Sequence, residues 1–134
     1  MTRPTPELHI LAVVCVVTVL MWIPYIAARI VTRGPMKTLA NPDPSFAPDP
    51  AWAERARRAH ANAVENLAVF APLVIVAALA GVSTPKTILA AQVYLWARIA
   101  HYLVYTAGIP VVRTLAFMVG FVATLTIAGA VLGF

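Results

Sequence analysis

Residues 51–72, AWAERARRAHANAVENLAVFAP, decide how the chain is read. The run starts charged and ends apolar, and it predicts one helix from Ala51 to about Ala80, interrupted only by Pro72. Pro50 precedes it, at a position where a missing N–H costs a helix nothing. At roughly 100° per residue, Arg55, Arg58, Asn62, Glu65 and Asn66 fall within an arc of about 100°. Arg57 and His60 point to the other side. Two cations, two amides and one carboxylate thus form a stripe running into hydrophobic surroundings, an arrangement suited to a small zwitterionic ligand.

Composition explains those surroundings. Of 134 residues, 61% are hydrophobic and 11% charged, too apolar for a soluble domain of this size to hide. Mean hydropathy is +0.84. The pattern predicts an all-α integral membrane protein, a four-transmembrane-helix antiparallel bundle forming one domain over 1–134. The spans fall at about 8–30, 51–80, 86–107 and 111–133. The first closes on Arg29 and Arg33 with no small-residue cleavage site, so it reads as a retained span with a kink near Pro24. Cys15, the single cysteine, sits among valines and reads as a packing residue. Residues 32–50 hold five of the eleven prolines and predict an extended connector along the membrane surface. Gly81 and Pro85, and later Gly108 and Pro110, mark tight turns, and turns so short make neighbouring helices antiparallel.

Basic residues set the expected orientation. Eight of the ten (Arg29, Arg33, Lys37, Arg55, Arg57, Arg58, Arg98, Arg113) lie toward the 1–2 and 3–4 connections, against Arg3 and Lys86 at the other side. This predicts cytoplasmic connections and termini outside. The net charge of +5 then meets lipid head groups, and no soluble basic module remains for nucleic acid.

The third span carries a second polar face, with Tyr94, Arg98, His101, Tyr102 and Tyr105 inside an arc of about 100°. A basic residue deep in a span costs about 2.5–3.5 kcal/mol unless it snorkels to an end. Two readings stay open for Arg98: a snorkelling residue among interfacial tyrosines, or part of a binding site. Two also stay open for Glu65: an intrahelical pair with Arg58, or a contact to a ligand ammonium while the arginines hold ligand carboxylates. Packed antiparallel, helices two, three and four bring their arginine-bearing ends to one depth. No metal site, nucleophile elbow or phosphate loop is present in the sequence.

The run Glu54 to Asn62 (ERARRAHAN), followed by Glu65-Asn66 and Phe70, resembles the signature of the MAPEG family, the membrane-associated proteins of eicosanoid and glutathione metabolism. It is most similar to microsomal glutathione transferases, as is Ala40-Asn41-Pro42-Asp43 in the connector. Ala97-Arg98 with His101 and Tyr105, and Arg113-Thr114, resemble the membrane prostaglandin E synthases. The resemblance implies a homotrimer binding glutathione as co-substrate between subunits near the cytoplasmic face. It also implies a transferase, peroxidase or isomerase acting on hydrophobic small molecules delivered through membrane lipid beside helices one and four. By position, Arg55, Arg58, His60, Asn62 and Glu65 would hold the peptide, with Arg98, His101, Tyr105 and Thr114 completing the cradle. Arg113 would face the sulfur as the catalytic residue, and either Arg29 or Arg33 would reach across from a neighbouring subunit. The chain departs from the family pattern at Val69, where a proline is usual, and at Phe117, often tyrosine. A non-catalytic lipid-binding or scaffold protein of the same fold is the competing reading. A small four-span exporter lacks its acidic residue in the first span.

Overall fold

The computed structural model describes residues 3–134. Among these residues the regular secondary structure is all helix: α1 Pro6–Leu20, α2 Trp22–Arg33, α3 Pro35–Leu39, α4 Ala51–Leu79, α5 Pro85–Ala107 and α6 Pro110–Leu132. Three rods are long and apolar enough to cross a membrane: α1 continued by α2 (Pro6–Arg33), α4 and α6. α5 is as long as α6, but its polar residues lower its hydropathy, and it packs against α1, α4 and α6.

Sequence chemistry accounts for the breaks. The first rod is interrupted at Met21, three residues before Pro24. Proline has no N–H to offer the carbonyl one turn earlier, so the ladder opens on its N-terminal side. The Met21 N–H turns back to Thr18 O at 3.2 Å, and the Tyr102 hydroxyl donates to Met21 O at 2.9 Å. The opened backbone is thereby anchored to α5. Pro72, by contrast, lies inside an unbroken α4. The connector is not extended throughout: Gly34 (φ +82°) ends α2, and Pro35 at a first-turn position starts the short α3. The remaining prolines keep residues 40–50 irregular.

α5 is capped at both ends. Thr84 and Thr87 form a reciprocal capping box, and Gly108 takes the left-handed conformation at the C-terminus, with Ile109 N–H reaching Val104 O at 3.0 Å. At its start, Ser83 and Thr87 donate to the buried Glu7 carboxylate of α1. At its other end, Arg55 Nε donates to Thr106 O at 3.0 Å, tying the beginning of α4 to the end of α5. These contacts fix the two helices antiparallel.

The apolar core lies at the Glu7 end of the molecule. Phe70 and Tyr94 stack with centroids 3.6 Å apart and planes 1° from parallel, packed with Val74, Leu11, Val14 and Ile127. Toward the arginine-rich end α4 buries small residues, Ala53, Ala56, Ala59 and Ala63, which let helices approach closely. Cys15 is exposed and does not pack as expected: α1 buries Leu11, Val14 and Thr18, and Cys15 lies one position off that stripe.

Candidate functional site

The polar faces of α4 and α5 meet the start of α6. A cavity of about 250 Å³ is lined by Asn62 from α4, His101 and Tyr105 from α5, and Arg113, Thr114 and Phe117 from α6. The Arg113 guanidinium lies 4.4 Å from the Tyr105 ring centroid, and His101 meets Tyr105 edge-on at 5.6 Å. Arg98 stands behind this cavity, only 3% exposed. Its Nη1 donates to Asn62 Oδ1 at 3.0 Å, while Nε and Nη2 are buried without partners. The guanidinium carbon lies over the rings of Tyr94 and Phe117, at 5.8 and 5.6 Å from their centroids. Gly120 admits it, since a Cβ there would stand 3.3 Å from both Nε and Nη2. Arg98 is therefore not a snorkelling residue.

Four of the five side-chain carboxylates are engaged elsewhere. Asp49 takes Arg29 and Arg33, and Glu54 takes Arg57 and Arg58. Glu7 is held by Ser83 and Thr87, and Asp43 accepts the Ser45 N–H. Glu65 is exposed and forms no ion pair among the described residues. Among those residues no carboxylate pairs with Arg98 or Arg113, so the cavity and its back wall are cationic.

The structure thus brings together Asn62, Arg98, His101, Tyr105, Arg113 and Thr114. The Thr114 hydroxyl donates to Pro110 O at 3.2 Å. The other candidates lie outside it. Arg55 caps α5, with its guanidinium against Gly108. Arg58 bonds Glu54 and not Glu65, at 3.3 Å. His60 Nδ1 shares a 2.8 Å hydrogen bond with the Tyr25 hydroxyl of α2. Arg29 grips Asp49 through Nε and Nη2, and Arg33 reaches the same carboxylate through Nη2. Arg29 and its neighbours hold the Asp49 carboxyl below the usual carboxylate range, chiefly through the Arg29 hydrogen bonds. An apolar groove of about 430 Å³ runs between α5 and α6.

Sequence reasoning overlooked Tyr25, Asp49 and Gly120. Asp49 had a usable signal, being one of five acids set against ten bases. Gly120 had none, because a glycine in an apolar helix reads as simple packing.

An all-helical chain with apolar rods of spanning length, and a cationic cavity among them, is an integral membrane protein with room for an anionic ligand. The MAPEG family profile matches residues 8–133, and the chain belongs to the MAPEG family. It is similar to microsomal glutathione S-transferase 1 of Bos taurus and of Homo sapiens, each 37% identical over 76 residues. The same protein of Rattus norvegicus is 36% identical over 76 residues. Each alignment covers 56% of this chain and 49% of the relative, so the chain spans about half the length of the curated relatives it matches.

Proposed function

We propose that the chain is a membrane-bound glutathione-dependent transferase, with peroxidase activity toward lipid hydroperoxides from the same thiolate. The observation that carries this reading is the pair Arg98 and Arg113, two guanidiniums at one polar cavity with no carboxylate of their own. A ligand bearing carboxylates and a thiolate supplies the missing anions, and Asn62 offers amide hydrogen bonding beside them. The similarity to proteins named as glutathione S-transferases supports glutathione as that ligand.

Chemically, the thiol must lose its proton. A free thiol has a pKa near 8.5 and is mostly protonated at neutral pH. Lowering it by about two units takes roughly 2.7 kcal/mol of preferential stabilisation of the anion. Arg113, held over Tyr105 at the cavity mouth, is our candidate for that role, with Thr114 and Tyr105 as hydroxyl groups nearby. In transfer, sulfur forms a bond to an electrophilic carbon whose leaving group departs with the bonding pair. In hydroperoxide reduction, sulfur attacks the terminal oxygen and releases the alcohol; a second thiol then gives the disulfide and water.

The cavity alone is smaller than the roughly 300–1,000 Å³ usual for small-molecule sites. We infer that a neighbouring copy in a homotrimer of four-span subunits completes it. Arg58 and Glu65, exposed along the cavity-bearing side of α4, would then reach the peptide. The Arg29 side chain is 27% exposed against 15% for Arg33, so of the two first-rod arginines it is our choice for the contact across subunits. The connections and the thiol site are assigned to the cytoplasmic side on the distribution of basic residues.

The test is spectroscopic. Titration of the purified protein with glutathione should produce thiolate absorbance, and Arg113→Ala should abolish it while binding persists. Binding without thiolate in the unaltered protein would favour the scaffold reading, and absence of binding would end the glutathione assignment.

A further inference from the structure

A second polar cavity lies where α2 meets the connector, sharing no lining residue with the first. Its volume is about 470 Å³, and Arg33, Lys37, Thr38 and Asp43 are among its walls. Asp49 satisfies Arg33 only through Nη2; Arg33 Nε is buried and has no partner. Lys37 forms no ion pair among the described residues, and its ammonium lies 5.7 Å from the Phe46 ring centroid. Arg33 lies 5.9 Å from the same ring, so Phe46 gathers both cations beside the cavity. Asp43 is fixed in the opposite sense. The Ser45 N–H donates to it at 2.8 Å and holds its carboxyl below the ordinary range, so it stays ionised.

The surroundings are unlike those of a soluble anion site. α3 begins immediately after a rod of membrane-spanning length, and Met36 and Leu39 on it are 77% and 82% exposed. They stand three residues apart, hence on one helix face, and Val31 at the end of α2 is 87% exposed. An apolar shelf of this kind at the end of a span belongs in the acyl region just below the head groups. A ligand matching the whole place needs an anion for Lys37 and Arg33, a hydrogen-bond donor for Asp43, and an apolar tail beside the shelf.

We propose that this cavity is a phospholipid head-group site: the phosphodiester accepts from Lys37 Nζ and from Arg33 Nη1, which forms no hydrogen bond among the described residues, and a head-group hydroxyl or ammonium donates to Asp43. Glycerol and ethanolamine head groups have that donor, whereas choline, a quaternary ammonium, has none. A free phosphate satisfies the cations and leaves the apolar shelf unused. Arg29 also lines this cavity and is the proposed cross-subunit contact to glutathione, so the lipid assignment is tested at Lys37 and Asp43, which have no part in the thiol site.

The full-length protein in non-ionic detergent would be mixed with equal amounts of dioleoyl phosphatidylglycerol, phosphatidylethanolamine or phosphatidylcholine, and bound lipid counted by intact-complex mass spectrometry. The glycerol and ethanolamine lipids should bind ahead of the choline lipid. Lys37→Gln should weaken them about fivefold, the worth of one basic residue at a membrane surface. Asp43→Asn should narrow the margin over choline. Lys86→Gln, at the far end of α5, should change neither result. Equal binding of all three lipids, or an undiminished preference in Lys37→Gln, overturns the proposal. Displacement of the lipid by an equal concentration of inorganic phosphate would identify the ligand as free phosphate and overturn the lipid assignment too. Unchanged helical circular dichroism in each variant separates loss of the site from loss of the fold.

Discussion

Arg29 and Arg33 share one carboxylate, whereas Arg98 and Arg113 share none. The first pair closes a structural joint. Asp49, its side chain only 7% exposed, pins the end of the irregular connector to α2 and so sets where α4 begins. The second pair is held by neutral groups: an amide oxygen, aromatic rings and the gap left by Gly120. Neutral partners orient a guanidinium without cancelling its charge. One arrangement spends its electrostatics on the fold, and the other leaves it available to a ligand.

The contrast can be broken experimentally. The largest effect is expected at Arg113: replacement by alanine should raise the pKa of bound thiol by about two units, near 2.7 kcal/mol, lowering the thiolate-to-thiol ratio about a hundredfold. The absorbance titration measures it, and an unshifted pKa would remove Arg113 from the sulfur.

At the paired site the loss should fall on stability. Asp49→Ala leaves two part-buried arginines without their anion and should cost about 1–3 kcal/mol, read from thermal unfolding in detergent. Acid should act in the same direction. The folded Asp49 carboxyl lies below its unfolded value, so its contribution is complete above the unfolded pKa and fades as pH drops through the folded one. Hydrogen exchange over residues 40–50 should therefore quicken below about pH 4, and Asp49→Ala should be insensitive to that acid step.

Arg98→Met should behave oppositely to Asp49→Ala. It removes a buried cation with two unsatisfied nitrogens, so stability should hold or rise by about 1 kcal/mol even though Asn62 loses its partner, while glutathione binding falls. A marked drop in melting temperature would mean that the guanidinium is structurally compensated after all. The smallest effect belongs to the half-exposed pair on Glu54: Glu54→Gln should shift stability by less than about 0.5 kcal/mol.

How far the sequence foretold this arrangement varies from element to element. The all-helical character and the glycine–proline turns were legible, because hydrophobic run length and backbone stereochemistry are local properties. So was the membership of Asn62, His101 and Tyr105 in polar faces of their helices, which follows from a fixed angle per residue, whereas Arg113 was singled out only through the family resemblance. The interruption was read near Pro24, and the missing N–H opens the ladder on the N-terminal side of that proline, at Met21. His60 against Tyr25 and Arg55 on Thr106 O could not be read from their own helix, since each partner comes from a distant element. Periodicity places a side chain on a face without saying which neighbour covers that face.

The sequence alone determined that this chain enters a membrane as helices and carries more cations than carboxylates. Both are sums over residues, and no folding changes them. Only the tertiary structure decided which cations are neutralised. Asp49 is spent on the joint between α2 and α4, and Gly120 opens a place for Arg98 beside Asn62. Pairing depends on distances between elements, and those exist only once the helices have packed.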